Sequence, residues 1–228
     1  MSADEQNKIF NEAYSGNFEY VKMKIEEDPA LTTKLDSNGR HLLHWSVLSG
    51  KLELVQYLLD KGSPVNHPDD IGMTPLILGA SAGKVQVCHL LISKGATINA
   101  KSDEGHSALQ YAASKGWNDI VKMLLINHAD INIADKRGAR PVHRAASQGK
   151  TAVLKILLDF GNQIQIDATD VYGNTALHLS CEENREEESK LLVMHGAKLD
   201  IKNKEGHTPL DLAPLQLAKT LRNISSRS

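Results

Sequence analysis

Residues 173–196 read GNTALHLSCEENREEESKLLVMHG, and the fold follows from how this stretch is parsed. Gly173 closes DVYG, a tight Asp-rich turn that visits positive φ. Thr175 stands where the N-terminal cap of a helix belongs. Apolar residues follow at three-four spacing through Ala176, Leu177, Leu179 and Cys181, as a helix buried on one side requires. A second apolar run, EEESKLLVMHG, ends at Gly196, the residue type that caps a helix C-terminus. The stretch therefore predicts a turn, two short helices and a loop.

The same phrase recurs along the chain. The glycines that precede it are Gly39, Gly72, Gly105, Gly138, Gly173 and Gly206, at steps of 33, 33, 33, 35 and 33 residues. RHLLHWS, MTPLILGA, HSALQYAA, ARPVHRAA, NTALHLSC and HTPLDLAP follow them, and all but the last lead to a second apolar run. Thr or Ser at 74, 107, 175 and 208 marks the cap, and Pro75, Pro141 and Pro209 fall at the first helical position, where a missing N–H does no harm. Gly62, Gly95, Gly161 and Gly196 end the second helices. Phrase and spacing together resemble the ankyrin repeat. One such unit cannot bury its own apolar face, so units stack and share a core.

The expected fold is thus an all-α ankyrin-repeat solenoid in a single domain, residues 1–228. It holds seven repeats of paired antiparallel helices at about 3–35, 36–68, 69–101, 102–134, 135–169, 170–202 and 203–226. The first lacks the phrase but reads as two helices, NKIFNEAYSG and EYVKMKIEED, that cap the stack. The last is cut short by Pro214, continues as LQLAKTLRN, and leaves ISSRS as a frayed tail. The 35-residue step comes from GNQIQIDATD, two residues longer than its counterparts, as a loop tolerates.

Composition narrows the function. The chain has 228 residues, 41% apolar and 24% charged, with a net charge of −2. Readers of nucleic acid carry a strongly basic face, and nothing of the kind is present. Two cysteines, Cys88 and Cys181, make neither a disulfide framework nor a zinc site. MSADEQNKIF is no secretory signal, and no apolar run reaches the ~20 residues a membrane span needs. A soluble monomer of the cytosol, and of the nucleus as well, is expected. Aromatic residues are only 4%, as suits many small shared cores rather than one large one. His41 and His44 lie three apart on one helix, but no third metal ligand is suggested. His44, His143 and His178 all fill the His of the phrase, where structural hydrogen bonds are expected. No nucleophile elbow, phosphate loop or metalloprotease motif occurs. No enzyme activity, cofactor or metal is therefore expected. The carboxylates of EENREEESK read as a solvated face.

Two local patterns invite a functional reading. Leu179, Cys181 and Glu183 spell L-x-C-x-E, a motif for docking on retinoblastoma-type pockets. Leu179 shares its slot with Trp45, Leu78, Tyr111 and Leu212, and Cys181 shares that of Val47, Ala80, Ala113 and Ala146. Both slots belong to the expected helical core, so the motif is read as packing. Asn66, Asn99 and Asn132 end the loops SPVN, TIN and DIN. They resemble ankyrin asparagines that oxygen-dependent hydroxylases modify, and their presence is explained by the loop backbone groups they satisfy.

In a solenoid the turn tips and first helices form one concave surface. Here it is banded: acidic at Asp36, Asp69, Asp70, Asp103 and Glu104, basic at Lys136, Arg137 and Arg140, then acidic at Glu182 and Glu183. Such banding suits a partner with opposite bands. Trp45 and Arg144 stand where a repeat usually has Leu, and Arg140 replaces the capping Thr, so each is expected to serve a partner; Trp and Arg are enriched in hot spots. The expected partner-binding set is Arg40, Trp45, Asp70, Lys115, Lys136, Arg137, Arg140, Arg144, Glu182 and Glu183, centred on Arg40, Trp45, Lys115, Arg140 and Arg144. For Arg144, an intramolecular pair with an acidic neighbour is the alternative.

AYSGNFEYVK, LLHWSVLSGKLELVQYLL, YAASKGWNDIVKMLL, HRAASQGK, GNTALHLSCEENREEESKLLVMHGA and NKEGHTPL together resemble the gankyrin family over nearly the whole chain. Met73 departs from the pattern, since the family tends to have Trp there. The resemblance implies an assembly chaperone of the 26S proteasome. Such a protein grips the C-terminal domain of one AAA ATPase subunit of the regulatory base with its concave face, and holds off premature docking on the core particle. Arg40 and Lys115 match family residues that meet acidic residues of the ATPase. The resemblance also implies links to cell-cycle regulators, which leaves a second expectation: a stoichiometric regulator of a cyclin-dependent kinase, a retinoblastoma-type protein or a transcription factor.

Overall fold

The computed structural model describes residues 3–160 and 164–226, without the side chains of residues 3–7. Its contacts group into two compact units, Met1–Ala108 and Leu109–Ser228. Among the described residues there are fourteen α-helices and no strand, only an isolated bridge between Lys101 and Ser107. No helix is long and apolar enough to cross a membrane, and no group of three or more His, Cys, Asp or Glu side chains is placed to hold a metal ion among those residues.

The first unit holds α1 (Ala3–Ser15), α2 (Phe18–Glu27), a 3-10 turn (Pro29–Thr33), α3 (Leu42–Ser49), α4 (Leu52–Asp60), α5 (Pro75–Ser81) and α6 (Val85–Ser93). First helices stack on first helices, α1 on α3 and α3 on α5, while α4 lies on α6. The second unit is built alike from α8 (Asn118–Ile126), α9 (Pro141–Ser147), α10 (Thr151–Asp159), α11 (Ala176–Glu182), α12 (Glu186–Met194), α13 (Pro209–Leu212) and α14 (Leu215–Ser225). There α9, α11 and α13 stack in order, as do α8, α10, α12 and α14. The remaining helix, α7 (Ala108–Lys115), begins at the last residue of the first unit. Helix α14 runs on through Ile224, which the sequence assigns to a frayed tail; its amphipathic pattern buries Leu217, Ala218 and Leu221.

Helices this short need firm ends. Thr74, Thr175 and Thr208 each accept the N–H three residues on, and Pro75, Pro141 and Pro209 occupy the first position. The first helices end eleven residues after the phrase glycine, in the left-handed region, at Gly50 and Gly149 among others; Asn184 takes this slot at φ 51°. The second helices end at Gly62, Gly95 and Gly196, and His128 holds their slot at φ 65°. Gly161 and the start of the longer GNQIQIDATD loop lie outside the described residues.

Each turn is organised by one side chain. Oδ1 of Asp36 accepts the N–H groups of Asn38 and Arg40 at 2.8 and 2.9 Å. Asp69, Asp135 and Asp170 repeat the pattern, and Asn203 does so with its amide oxygen. Successive turn tips are then bonded backbone to backbone. In the first unit Asp70 N–H donates to the Asn38 carbonyl and Asp103 N–H to that of Ile71, both at 3.0 Å. In the second, Val171 N–H donates to Arg137 at 2.8 Å and Lys204 N–H to Tyr172 at 2.9 Å.

The phrase histidines join the repeats as expected. Nδ1 of His44, His143 and His178 accepts the backbone N–H of His41, Arg140 and Thr175. A nitrogen that accepts cannot carry the proton, so the proton is on Nε2. Nε2–H then donates to a carbonyl of the following loop: His67, Asn174 and His207, at 2.9, 3.2 and 3.1 Å. Gln110 fills the same position, and its Nε2 donates to Ala139 O at 2.7 Å. Burial lowers the pKa of all three histidines, that of His44 to about 4.

Candidate functional site

In the first unit Arg40 and Trp45 are brought together, and both are engaged within the chain. Arg40 follows the turn glycine, and its Nε and one terminal nitrogen each donate to Oδ2 of Asp69 at 2.9 Å. Asp69 is 2% exposed at its side chain and Arg40 18%. The guanidinium carbon also lies 4.9 Å from the centroid of the Trp45 ring, near enough for a cation–π contact. Trp45 Nε1–H donates to Oδ2 of Asp36 at 2.8 Å, and Tyr14 meets the indole edge-on at 5.8 Å. Each aspartate thus gives one oxygen to its own turn and the other to a side chain. Arg40 ties the second repeat to the third. Asp70 is exposed on the adjacent tip.

In the second unit Arg144 donates to Oδ2 of Asp135, which is 1% exposed at its side chain. This is the intramolecular pair that competes with a partner role, and it explains Arg144 without one. Arg140 reaches Oε1 of Gln165 in the next loop; its backbone N–H is taken by His143, as that of Thr175 is by His178, and the N–H that a Thr cap would accept has no side-chain acceptor at Arg140. Three of the five residues expected at the centre of an interface, Arg40, Trp45 and Arg144, are therefore anchored to buried or half-buried carboxylates. The signal that could have revealed this is the Asp three positions before four of the six turn glycines, Asp36, Asp69, Asp135 and Asp170, periodic in the sequence.

Lys115, Lys136 and Arg137 differ. All three are exposed, and none forms an ion pair with a described residue. Lys115 ends α7, where a cation meets the negative end of the helix dipole; Lys136 and Arg137 form a turn tip. Glu182 ends α11 and Glu183 caps it, both exposed, with Glu183 only 3.9 Å from Arg185. The EENREEESK run is not wholly solvated: Glu188 is 4% exposed and accepts from the Thr151 hydroxyl.

The L-x-C-x-E residues lie on α11 and its cap. Cys181 is fully buried, its thiol 3.8 Å from the Ser189 hydroxyl, and burial pushes its pKa up to about 11. Leu179 is half-buried rather than a full core residue. Its slot is the rim of the stack, which is why Trp45, Tyr111 and Arg144 also fit there half-exposed. Burial raises Cys88 to about 12, so neither thiol ionises at neutral pH. Asn66 ties two loops: its Nδ2 donates to Gly95 O at 3.0 Å, and its Oδ1 accepts Thr97 N–H at 2.7 Å. Asn132 accepts Gln165 N–H in the same way.

Comparison with known sequences matches the description "Ankyrin repeats (3 copies)" to residues 9–102, 97–170 and 142–222. The chain belongs to the ankyrin-repeat family. The ankyrin domains of human ASB11 and of Bcl-3 superpose with TM-scores of 0.84 and 0.80, each at 23% identity. The first covers 95% of this chain and 96% of its own, the second 94% and 97%. Among curated proteins, the human 26S proteasome non-ATPase regulatory subunit 10 is 43% identical over 67 residues, 29% of this chain and 30% of that one. The probable 26S proteasome regulatory subunit p28 of Saccharomyces cerevisiae is 38% identical over 64 residues, 27% of this chain and 28% of that one. The matched stretch is thus under a third of each relative's length. The first of these relatives is gankyrin, whose family the sequence motifs resemble.

Proposed function

We propose that this ankyrin protein is a non-enzymatic chaperone of proteasome regulatory-particle assembly, acting in the cytosol and nucleus. It binds the C-terminal domain of one base ATPase through the turn tips and first helices, and it blocks premature docking on the core particle by occupying space. The observation that carries the reading is the set of solvent-facing cations Lys115, Lys136 and Arg137, which form no ion pair with a described residue and offer a basic surface to an acidic partner. The relatives, both named as proteasome regulatory subunits, supply the direction. Turn tips already bonded to one another need little ordering on binding, which keeps the entropy loss low.

The test is binding to the isolated C-terminal domain of each proteasomal ATPase, at low and moderate salt, with Lys115→Glu and Arg137→Glu variants alongside. The expected outcome is one selective partner, weakened by salt and by each variant, since rim charges act through screened electrostatics. No binding to any of these domains refutes the reading and favours an ankyrin-type regulator of cell-cycle or transcription factors.

A further inference from the structure

In the second unit, a pocket of about 220 Å³ opens beside α11 and α13, on the turn side. Tyr172 forms one wall. It is 57% exposed, and its backbone is held at both ends: its N–H donates to Asp170 at 2.9 Å, and its carbonyl accepts Lys204 N–H at 2.9 Å. Leu212 forms a half-buried wall opposite polar neighbours. The amides of Asn174 and Asn203 are bonded to each other at 2.9 Å. Glu182 and Glu205 bring two carboxylates, against the single ammonium of Lys204.

Glu182 is the informative residue. It is the last residue of α11, where the helix dipole disfavours an anion. The equivalent positions in the other repeats carry Leu48, Ser81, Ser114 and Ser147, none of them acidic. Glu182 forms no ion pair or side-chain hydrogen bond with a described residue. An anion placed against a dipole and left without a partner calls for a cation from outside.

We infer that this pocket receives an arginine side chain presented by the protein partner. The guanidinium plane stacks on the Tyr172 ring and donates two parallel N–H bonds to the Glu182 carboxylate, while its stem lies on Leu212. Arginine suits the site better than lysine, because a planar, weakly hydrated fork can stack and bond in two directions at once. The inference rests on the reading of this side of the molecule as a partner-binding surface.

The test has two arms. In the first, the isotope-labelled full chain is titrated with N-acetyl-arginine amide, the lysine amide and the citrulline amide, and backbone amide shifts are followed by NMR. Shifts at Tyr172, Glu182, Lys204 and Leu212 are expected with arginine, smaller with lysine and absent with citrulline. Glu182→Gln and Tyr172→Ala are expected to abolish them and Tyr172→Phe to retain them. Equal response to all three amides, none to any, or persistence in both loss variants overturns the inference. In the second arm, Glu182→Gln and Tyr172→Ala are each expected to weaken binding of the cognate ATPase domain by about tenfold. Unchanged affinity in both variants overturns the pocket and leaves the assembly function standing. Arginine-selective shifts without any ATPase binding keep the pocket and refute that function.

Discussion

Two residues in left-handed backbone show how closely the repeat constrains single positions. Asn184 and His128 stand at φ 51° and 65° where the other repeats have glycine. Asn tolerates that region because its side chain bonds locally, whereas a β-branched residue is strained there. Asn184→Val is expected to lower unfolding stability by about 1–2 kcal/mol and Asn184→Gly to leave it nearly unchanged, measured by urea denaturation. The two cations Arg40 and Lys115 divide in the same test. Arg40→Glu sets a carboxylate against Asp69, 2% exposed at its side chain, and is expected to lose about 3 kcal/mol or more. Lys115→Glu, on an exposed helix end, is expected to stay within about 0.5 kcal/mol, apart from a small dipole term. Any binding defect of Arg40→Glu therefore reports folding as well as recognition, and that of Lys115→Glu reports recognition.

This division was not legible in the sequence. Arg40 and Asp69 are 29 residues apart, and Arg140 and Gln165 are 25 apart. Such pairs are visible only when one repeat is laid on the next, and an arginine in an apolar slot reads equally well as a hot spot. The helix ends were legible, because caps, prolines and glycines act within a few residues. The histidines were legible in position and purpose, though their tautomer required the geometry. Leu179 was misplaced by a slot average: the slot is at the rim, and only Leu78 in it is fully buried.

At the scale of helices and loops, the histidines make the stack sensitive to acid. Each needs its neutral form, since Nδ1 must accept an N–H. His44 has a folded pKa of about 4 against an ordinary 6.5, so the unfolded chain takes up a proton first as pH falls. Its contribution is complete above 6.5 and is lost on acidification towards 4. For His44 this amounts to about 3 kcal/mol across that window, with His143 and His178 adding in the same direction. Thermal midpoints measured across the window are expected to fall steeply. His44→Gln is expected to flatten the fall, because Gln110 already shows that an amide can reach the next loop without titrating.

For the whole molecule, Cys88 and Cys181 give one fully buried reporter in each compact unit. With a thiol reagent at neutral pH, both are expected to react only as fast as their unit opens, far more slowly than in denaturant. Single-cysteine variants made with Cys→Ala separate the two. Prompt modification of Cys181 in the native chain would mean that α11 opens readily and that the L-x-C-x-E residues are within reach of a partner.

The backbone bonds from tip to tip have a mechanical side. A hydrogen bond shared between neighbours holds each repeat only as long as the next is in place, so a stack pulled from one end is expected to come apart in order. Each yielding repeat of about 33 residues frees about 110 Å of slack chain. In a single-molecule pulling experiment, a unit built this way is expected to give a sawtooth with that spacing, resisting like a zip rather than snapping like a bead.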